Sequence, residues 1–237
     1  MRLSMVQQMI KQAVIFCGGF GTRFNSNKTK NLKPLAKING KPILKIIIDI
    51  YYKQGINEFL LLGGFRFNLL KKFEKKYLSK KIKILALNTG LRTTTAGRLL
   101  KAKKFLRDKF FLTYGDSIAN FSVKKFKKYK FSKKFYVSTY DYKIPYGVLI
   151  SKKDNNVNKS FEKSFKIPVN AGFYVLNKKI FQFIKSHNNV FEDHVLKKVI
   201  RNKSFKLIKN KLSFWHPMDY KDDKHKIENI LKNKKIV

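Results

Sequence analysis

The chain has 237 residues, 43% of them hydrophobic and 14% aromatic, enough apolar material for a full core and too much for a disordered chain. Its 54 Lys and Arg against 14 Asp and Glu give a formal charge of +40, which invites a nucleic-acid or membrane-surface reading. A single cysteine, Cys17, excludes an internal disulfide framework and fits a reducing compartment.

No apolar run approaches the roughly 20 residues that a membrane span needs. The opening MRLSMVQQMIKQ lacks the apolar stretch and cleavage site of a secretory signal. A cytoplasmic protein without a membrane partner is therefore expected. Only seven of the 54 basic residues are arginines, and the lysines are scattered among Asn, Ile, Phe and Tyr, residues with A/T-rich codons. Specific nucleic-acid binders concentrate charge on one face and lean on arginine. The pattern fits compositional drift towards lysine, with no specific nucleic-acid partner and nonspecific polyanion association in low salt. An RNA-binding protein is the rival reading, and it rests on charge alone.

In chain order, the apolar run Ala13–Phe16 reads as the first strand. Pro42 to Gly55 reads as a helix, with proline at the first helical position and glycine past the last. Strands follow at Glu58–Leu62, Ile82–Leu87, Phe110–Tyr114 and Phe135–Thr139, separated by helical stretches at Phe67–Leu78, Thr95–Phe105 and Val123–Tyr129. This alternation predicts right-handed crossovers and an α/β fold, a Rossmann-like, mostly parallel sheet flanked by helices. Beyond it, Tyr146–Ser151, Val157–Phe161, Ala171–Leu176 and Phe205–Ile208 read as short strands. Lys178–Ser186, Glu192–Asn202 and Lys221–Lys232 read as helices. This second half predicts a small β-rich lobe across the same sheet edge. No repeat or low-complexity linker interrupts the chain, so one domain over 1–237 is expected, in halves 13–140 and 141–237.

The first strand runs into CGGFGTRF, Cys17 to Phe24. Glycine lets a backbone turn sharply and approach a ligand closely, and an adjacent arginine suggests a phosphate. Gly19-x-Gly21 lacks the third glycine of a dinucleotide fingerprint, Phe24 standing there, and the Gly-Lys-Ser/Thr ending of a P-loop. What remains is a run of backbone N–H groups with Thr22 and Arg23, a cradle suited to a triphosphate. A plain turn after a buried strand is the other reading. Asp116 closes the apolar strand Phe110–Tyr114, at the edge where open α/β sheets bind ligands. Asp219 follows Trp215-His-Pro-Met in a similarly apolar setting. Two converging carboxylates suit Mg²⁺, which prefers oxygen ligands and shares them with substrate phosphates. Either aspartate alone also fits a helix cap or a turn. The four histidines show no metal-ligand spacing, and no serine–histidine–acid arrangement suggests a covalent nucleophile. Cys17 reads as packing.

Lys33-Pro34-Leu35 and then Gly40-Lys41-Pro42-Ile43-Leu44 follow the glycine loop in order. With it they resemble the sugar-phosphate nucleotidyltransferases, whose hallmark is a G-G-x-G-T-R loop, a Lys-Pro pair and a G-K-P-I-L helix entry. Asn88 to Leu99, NTGLRTTTAGRL, is similar to the T-G-x-x-T-x-T-G-G-R-L segment of the glucose-1-phosphate cytidylyltransferase branch. Thr113-Tyr-Gly-Asp116 matches its T-Y-G-D, and Phe214-Trp-His-Pro-Met-Asp-Tyr220 resembles its F-W-Q-P-M-D-T. In the second half Tyr146-Gly147, Phe161-Glu162-Lys163 and Asn170-Ala-Gly-Phe-Tyr174 resemble sugar-binding motifs of the family. Departures are Leu32, Ala96, Ser164, His216 and Tyr220, none of which removes a charged group.

The resemblance implies a GT-A-like nucleotidyltransferase fold with a sugar-binding lobe. The implied reaction makes an NDP-sugar, CDP-glucose first among the candidates, and pyrophosphate from a nucleoside triphosphate and a sugar 1-phosphate. A sister enzyme using GTP, UTP or dTTP with another sugar is the alternative. It implies Mg²⁺ on Asp116 and Asp219, and catalytic roles for Arg23, Lys33 and Asp116. Nucleotide binding is implied for Gly18, Gly19, Gly21, Thr22, Arg23, Lys33, Thr93, Arg98 and Gly115. Sugar-phosphate binding is implied for Gly147, Glu162, Lys163 and Asn170. Phe191-Glu192-Asp193 resembles a family helix start, with capping as its expected role. Sugar-nucleotide biosynthesis of the kind that feeds lipopolysaccharide O-antigen is the implied setting, with homo-oligomerisation left open.

Overall fold

Strand β1, Gln12–Phe16, is buried along its whole length, as an apolar run without alternation requires when both faces of a sheet are covered. The computed structural model describes residues 10–24, 31–126, 133–151 and 156–233. After the glycine loop, β2 (Lys37–Ile38) and β3 (Lys41–Pro42) form a tight hairpin, turned at Asn39 and Gly40 with φ of 46° and 78°. Left-handed φ at both central residues suits the right-handed twist of the flanking strands. Helix α1 (Ile43–Tyr52) starts directly from this hairpin, one residue later than expected, with Pro42 at its N-cap. It buries Ile43, Leu44, Ile46, Ile47, Ile48, Ile50 and Tyr51; each of the aliphatic side chains contributes roughly 1.5–3 kcal/mol by leaving water.

The next elements alternate as expected: β4 (Glu58–Gly63), α2 (Phe67–Tyr77), β5 (Lys83–Asn88), α3 (Thr95–Lys101), β6 (Lys109–Tyr114) and β7 (Ser117–Ala119). Then come β8 (Lys134–Lys143), β9 (Val148–Ser151), β10 (Val157–Phe161), β11 (Lys166–Asn177), α4 (Lys197–Arg201), β12 (Lys206–Leu212), β13 (Trp215–Pro217) and α5 (Lys221–Asn233). Seven strands make one sheet in the order β12-β8-β11-β6-β1-β4-β5. Within it β5, β4, β1 and β6 are parallel, β12 is parallel to β8, and β11 is antiparallel to both of its neighbours. One strand of the seven is therefore reversed, and the mostly parallel expectation holds. Apolar clusters cover both faces, one built on α1 and α2, the other on α3 and the segment after β11.

The structure redistributes the second-half elements. β8, β11 and β12 extend the main sheet, and the separate β piece is the two-stranded β9–β10 hairpin. Strand β11 runs twelve residues where six were expected, because its first half pairs with β8 beyond the end of β6. Four expected helices are shorter or tighter. Thr95–Phe105 is α3 plus a 3₁₀ turn at Lys103–Phe105, and Lys178–Ser186 is 3₁₀ over Lys178–Phe183. Glu192–Asn202 opens with a π-helical turn, Phe191–Leu196, before α4. Of Val123–Tyr129, the part Val123–Phe126 is a 3₁₀ turn and 127–129 lie outside the described residues, as do the first nine residues. Among the described residues no helix is long and apolar enough to cross a membrane.

Candidate active site

A cleft of about 640 Å³ opens at the carboxyl ends of the parallel strands. Gly18, Gly19, Gly21, Thr22 and Arg23 line it from the loop after β1. Gly21 has φ +62°, a conformation that residues with a side chain rarely adopt. Gly19 is open, with nothing within 4 Å of where a side chain would begin. Gly115 stands behind this loop: its N–H donates to the Phe16 carbonyl at 3.0 Å, and a Cβ there would come within 3.1 Å of both Cys17 Sγ and Pro34 Cγ. Cys17 is buried against it, and burial pushes its thiol well above the usual range, leaving a neutral packing group.

Lys33 enters from the opposite wall. It begins a 3₁₀ turn closed by Leu35 N–H to the Leu32 carbonyl at 2.8 Å, so the departure at Leu32 leaves the turn formed. The Lys33 side chain is buried. Nζ lies 2.8 Å from Asp116 Oδ2 and 3.0 Å from Asp219 Oδ1, and Arg23 Nη2 is 3.3 Å from the same Asp219 oxygen. Local hydrogen bonds bring the two aspartates together. β7 pairs with β13, and Met218 N–H donates to the Asp116 carbonyl at 2.8 Å. Asp223, in the first turn of α5, accepts from the N–H groups of Asp219 and Tyr220 at 2.8 Å each, half of a capping box. The helix start thus fixes the Asp219 loop.

Two carboxylates converging on one cation form a donor set that fits Mg²⁺. Among the described residues no cluster of three or more His, Cys, Asp or Glu could cage a metal, so such an ion would take its remaining ligands from phosphate and water.

Thr93 and Arg98 also line the cleft, but their polar groups turn inward. Thr93 Oγ1 donates to the Thr89 carbonyl at 2.6 Å. Arg98 is 4% exposed. Its Nη1 donates to the carbonyls of Gly63 and Gly90 at 2.8 Å each and to Thr89 Oγ1 at 2.6 Å; Nη2 donates to the Gly18 carbonyl at 2.9 Å. The guanidinium is engaged with the chain's own carbonyls rather than offered to the cleft. Desolvation lowers its pKa, from so high a value that it stays charged.

Gly147, Glu162 and Lys163 gather on the β9–β10 hairpin and its flanks, outside the residues that line this cleft. A Cβ on Gly147 would stand 3.0 Å from Glu162 Oε2, so glycine leaves room for that carboxylate. Both charged groups are largely exposed and 3.9 Å apart. Lys163, followed by Ser164, takes a left-handed φ of +50°. Asn170 reaches the carboxyl edge because β11 runs backwards, at a register break between Asn170 and Tyr174. Asn170 Nδ2 donates to the Tyr174 hydroxyl at 2.7 Å, Tyr174 donates to Glu192 Oε1 at 3.1 Å, and Tyr114, on the cleft wall, donates to the same oxygen. Burial, then the nearby carboxylate, raises both tyrosine pKa values, so both remain donors.

Glu192 and Asp193 stand in the first turn of the segment Phe191–Leu196, where capping was expected of Phe191-Glu192-Asp193, and the Glu192 carboxylate in addition accepts from two tyrosines. Sequence reasoning also passed over Gly63 and Gly64, a glycine pair at the end of β4 that meets the Arg98 guanidinium. The pair following an apolar strand, as Gly18 and Gly19 follow β1, was the available signal.

Comparison with known proteins agrees with this geometry. A family model described as nucleotidyl transferase matches residues 12–217. A probable glucose-1-phosphate cytidylyltransferase of Bacillus subtilis is 35% identical over 234 residues, covering 88% of this chain and 91% of the relative. A D-glycero-alpha-D-manno-heptose 1-phosphate guanylyltransferase of Campylobacter jejuni is 31% identical over 173 residues, covering 72% of this chain and 77% of the relative. Among solved structures, HddC from Yersinia pseudotuberculosis complexed with GMP-PN superposes with a TM-score of 0.72 at 25% identity, covering 94% of this chain and 100% of that one. With the match spanning nearly the whole sheet and the cleft at its edge, the chain belongs to the nucleotidyl transferase family.

Proposed function

We propose that this protein transfers a cytidylyl group from CTP to glucose 1-phosphate, releasing pyrophosphate and CDP-glucose. The observation that carries the reading is the Lys33 ammonium held between Asp116 and Asp219 beside the glycine loop. The 35% identity to the Bacillus subtilis relative supports the choice of base and sugar. A second reading, another nucleoside triphosphate with another sugar 1-phosphate, draws on the identity to the guanylyltransferase.

The attacking group is a phosphate oxygen, anionic at neutral pH, so no general base is required. The task is to bring two polyanions together in line. Two phosphate charges at about 4 Å repel by roughly 4 kcal/mol at an effective dielectric of about 20. Arg23 and Lys33 offset that repulsion, with Lys33 exchanging a carboxylate for a phosphate oxygen when the nucleotide arrives. Backbone N–H groups from Gly18 to Thr22 hold the triphosphate, and Gly115 packs the loop from behind. Asp116 and Asp219 would hold Mg²⁺, which supplies electrophilic stabilisation of the charge developing on the transferred phosphate. Gly147, Glu162, Lys163 and Asn170 receive the sugar phosphate, the half 141–237 closing a single unit over the half 13–140. The setting is the cytoplasm.

Pyrophosphate release with Mg²⁺ tests the reading, with CTP, UTP, GTP, dTTP and ATP offered against glucose 1-phosphate and a panel of sugar phosphates. Release with CTP and glucose 1-phosphate is expected to exceed every other pair. Preference for another pair keeps the chemistry and discards the base assignment. No release from a folded protein discards the reading.

A further inference from the structure

Arg98 is a buried cation with no carboxylate partner among the described residues. Every acceptor it meets is neutral: the carbonyls of Gly18, Gly63, Gly90 and Leu91 and the Thr89 hydroxyl. Those acceptors come from three separate segments, the loop after β1, the last residue of β4 and the loop after β5, and the first and third of these segments line the cleft. The surrounding glycines are shaped around it. A Cβ on Gly18 would stand 2.4 Å from the guanidinium carbon, and one on Gly64 would stand 2.5 Å from Nη1 and 2.5 Å from the Gly90 carbonyl oxygen. Such contacts are closer than packed atoms tolerate, so each position admits only glycine while the guanidinium is in place. Gly18 thus makes room for this arginine beneath the loop.

We infer that Arg98 is a positioning residue for nucleotidyl transfer: its guanidinium ties the loops after β1 and β5 to the end of β4 and sets the spacing of the glycine loop. The inference rests on the reading of that loop as a triphosphate cradle. A planar fork that serves carbonyls on several sides is required, and lysine, a single compact ammionium point charge, lacks it. With no carboxylate beside it, the charge also adds to the positive field beneath the phosphates without touching them. A loop displaced by about 1 Å costs on the order of 100-fold in a positioned reaction, which is the scale expected of its loss.

Three variants test this: Arg98→Lys, Arg98→Met and Gly64→Ala, the last keeping the arginine and crowding it. Amide hydrogen exchange is followed without nucleotide, and CTP binding is followed by calorimetry beside KM and kcat. In all three variants the loops at 17–23, 63–66 and 88–92 are expected to exchange at least about tenfold faster, with α1 unchanged. KM for the triphosphate is expected to rise roughly 10- to 100-fold while KM for the sugar phosphate stays near wild type. In a fourth variant, Arg98→Ala, methylguanidinium is expected to restore part of the CTP affinity. Arg98→Lys behaving as wild type, or unchanged loop exchange in folded variants, overturns the inference. If wild-type protein binds no nucleotide, the functional reading falls, and the exchange experiment alone then decides the positioning role.

Discussion

Lys33 faces two carboxylates at 2.8 and 3.0 Å from a nearly buried position, and few side chains in the molecule carry so much opposing charge within reach. Its ammonium keeps Asp116 and Asp219 from repelling one another before any substrate arrives. Lys33→Ala and Asp116→Asn are each expected to lower turnover at least about 100-fold, while thermal unfolding shows both variants folded. Near-normal turnover from either folded variant removes that residue from the mechanism. The glycine loop, Lys33 and both aspartates were legible in the sequence, because short motifs with fixed spacing carry them. The inward turn of Arg98 and the Tyr114–Glu192–Tyr174 contact were not, since they depend on which loop lies opposite, and tertiary packing decides that.

Among elements, α1 shows how well an apolar face and a polar atom are reconciled. Tyr51 on its inner face is fully buried between the rings of Phe111 and Phe121, at 5.5 and 5.6 Å. Its hydroxyl finds no hydrogen-bond partner among the described residues, and burial pushes its pKa far up. Burying a hydroxyl without a partner is costly, so Tyr51→Phe is expected to leave stability unchanged or raise it by about 1 kcal/mol. A shift of the urea midpoint at constant slope measures this; a fall of that size would mean that the hydroxyl is satisfied. Elements of the first half were readable from proline and glycine punctuation and from apolar runs. The 3₁₀ and π turns after β11 were not, because their residues spell an ordinary amphipathic helix and only the sheet beneath fixes the tighter winding. The merging of β8, β11 and β12 into the main sheet escaped for a related reason: strand partners far apart in sequence leave no local mark.

For the whole molecule, the charge of +40 sets behaviour away from the cleft. Lysines dispersed over the surface attract any polyanion without reading it. Binding of a random single-stranded RNA and of unrelated duplex DNA is expected to be similar, and to weaken by about 10³-fold or more between 50 and 200 mM salt. Fluorescence anisotropy measures both, and a marked sequence preference at 200 mM would revive the RNA-binding reading.

The pairing of Lys33 with Asp219 spans 186 positions, and that of Asn39 with Glu228 spans 189. A ribosome adds roughly 5–20 residues per second, so a nascent Lys33 waits about 10–40 s before its second carboxylate exists at all. Throughout that interval the growing chain carries its glycine loop and Asp116 without the turn that completes the site. The order of synthesis thus sets when the cluster can close, and a chain stalled anywhere before residue 219 leaves Lys33 with Asp116 alone.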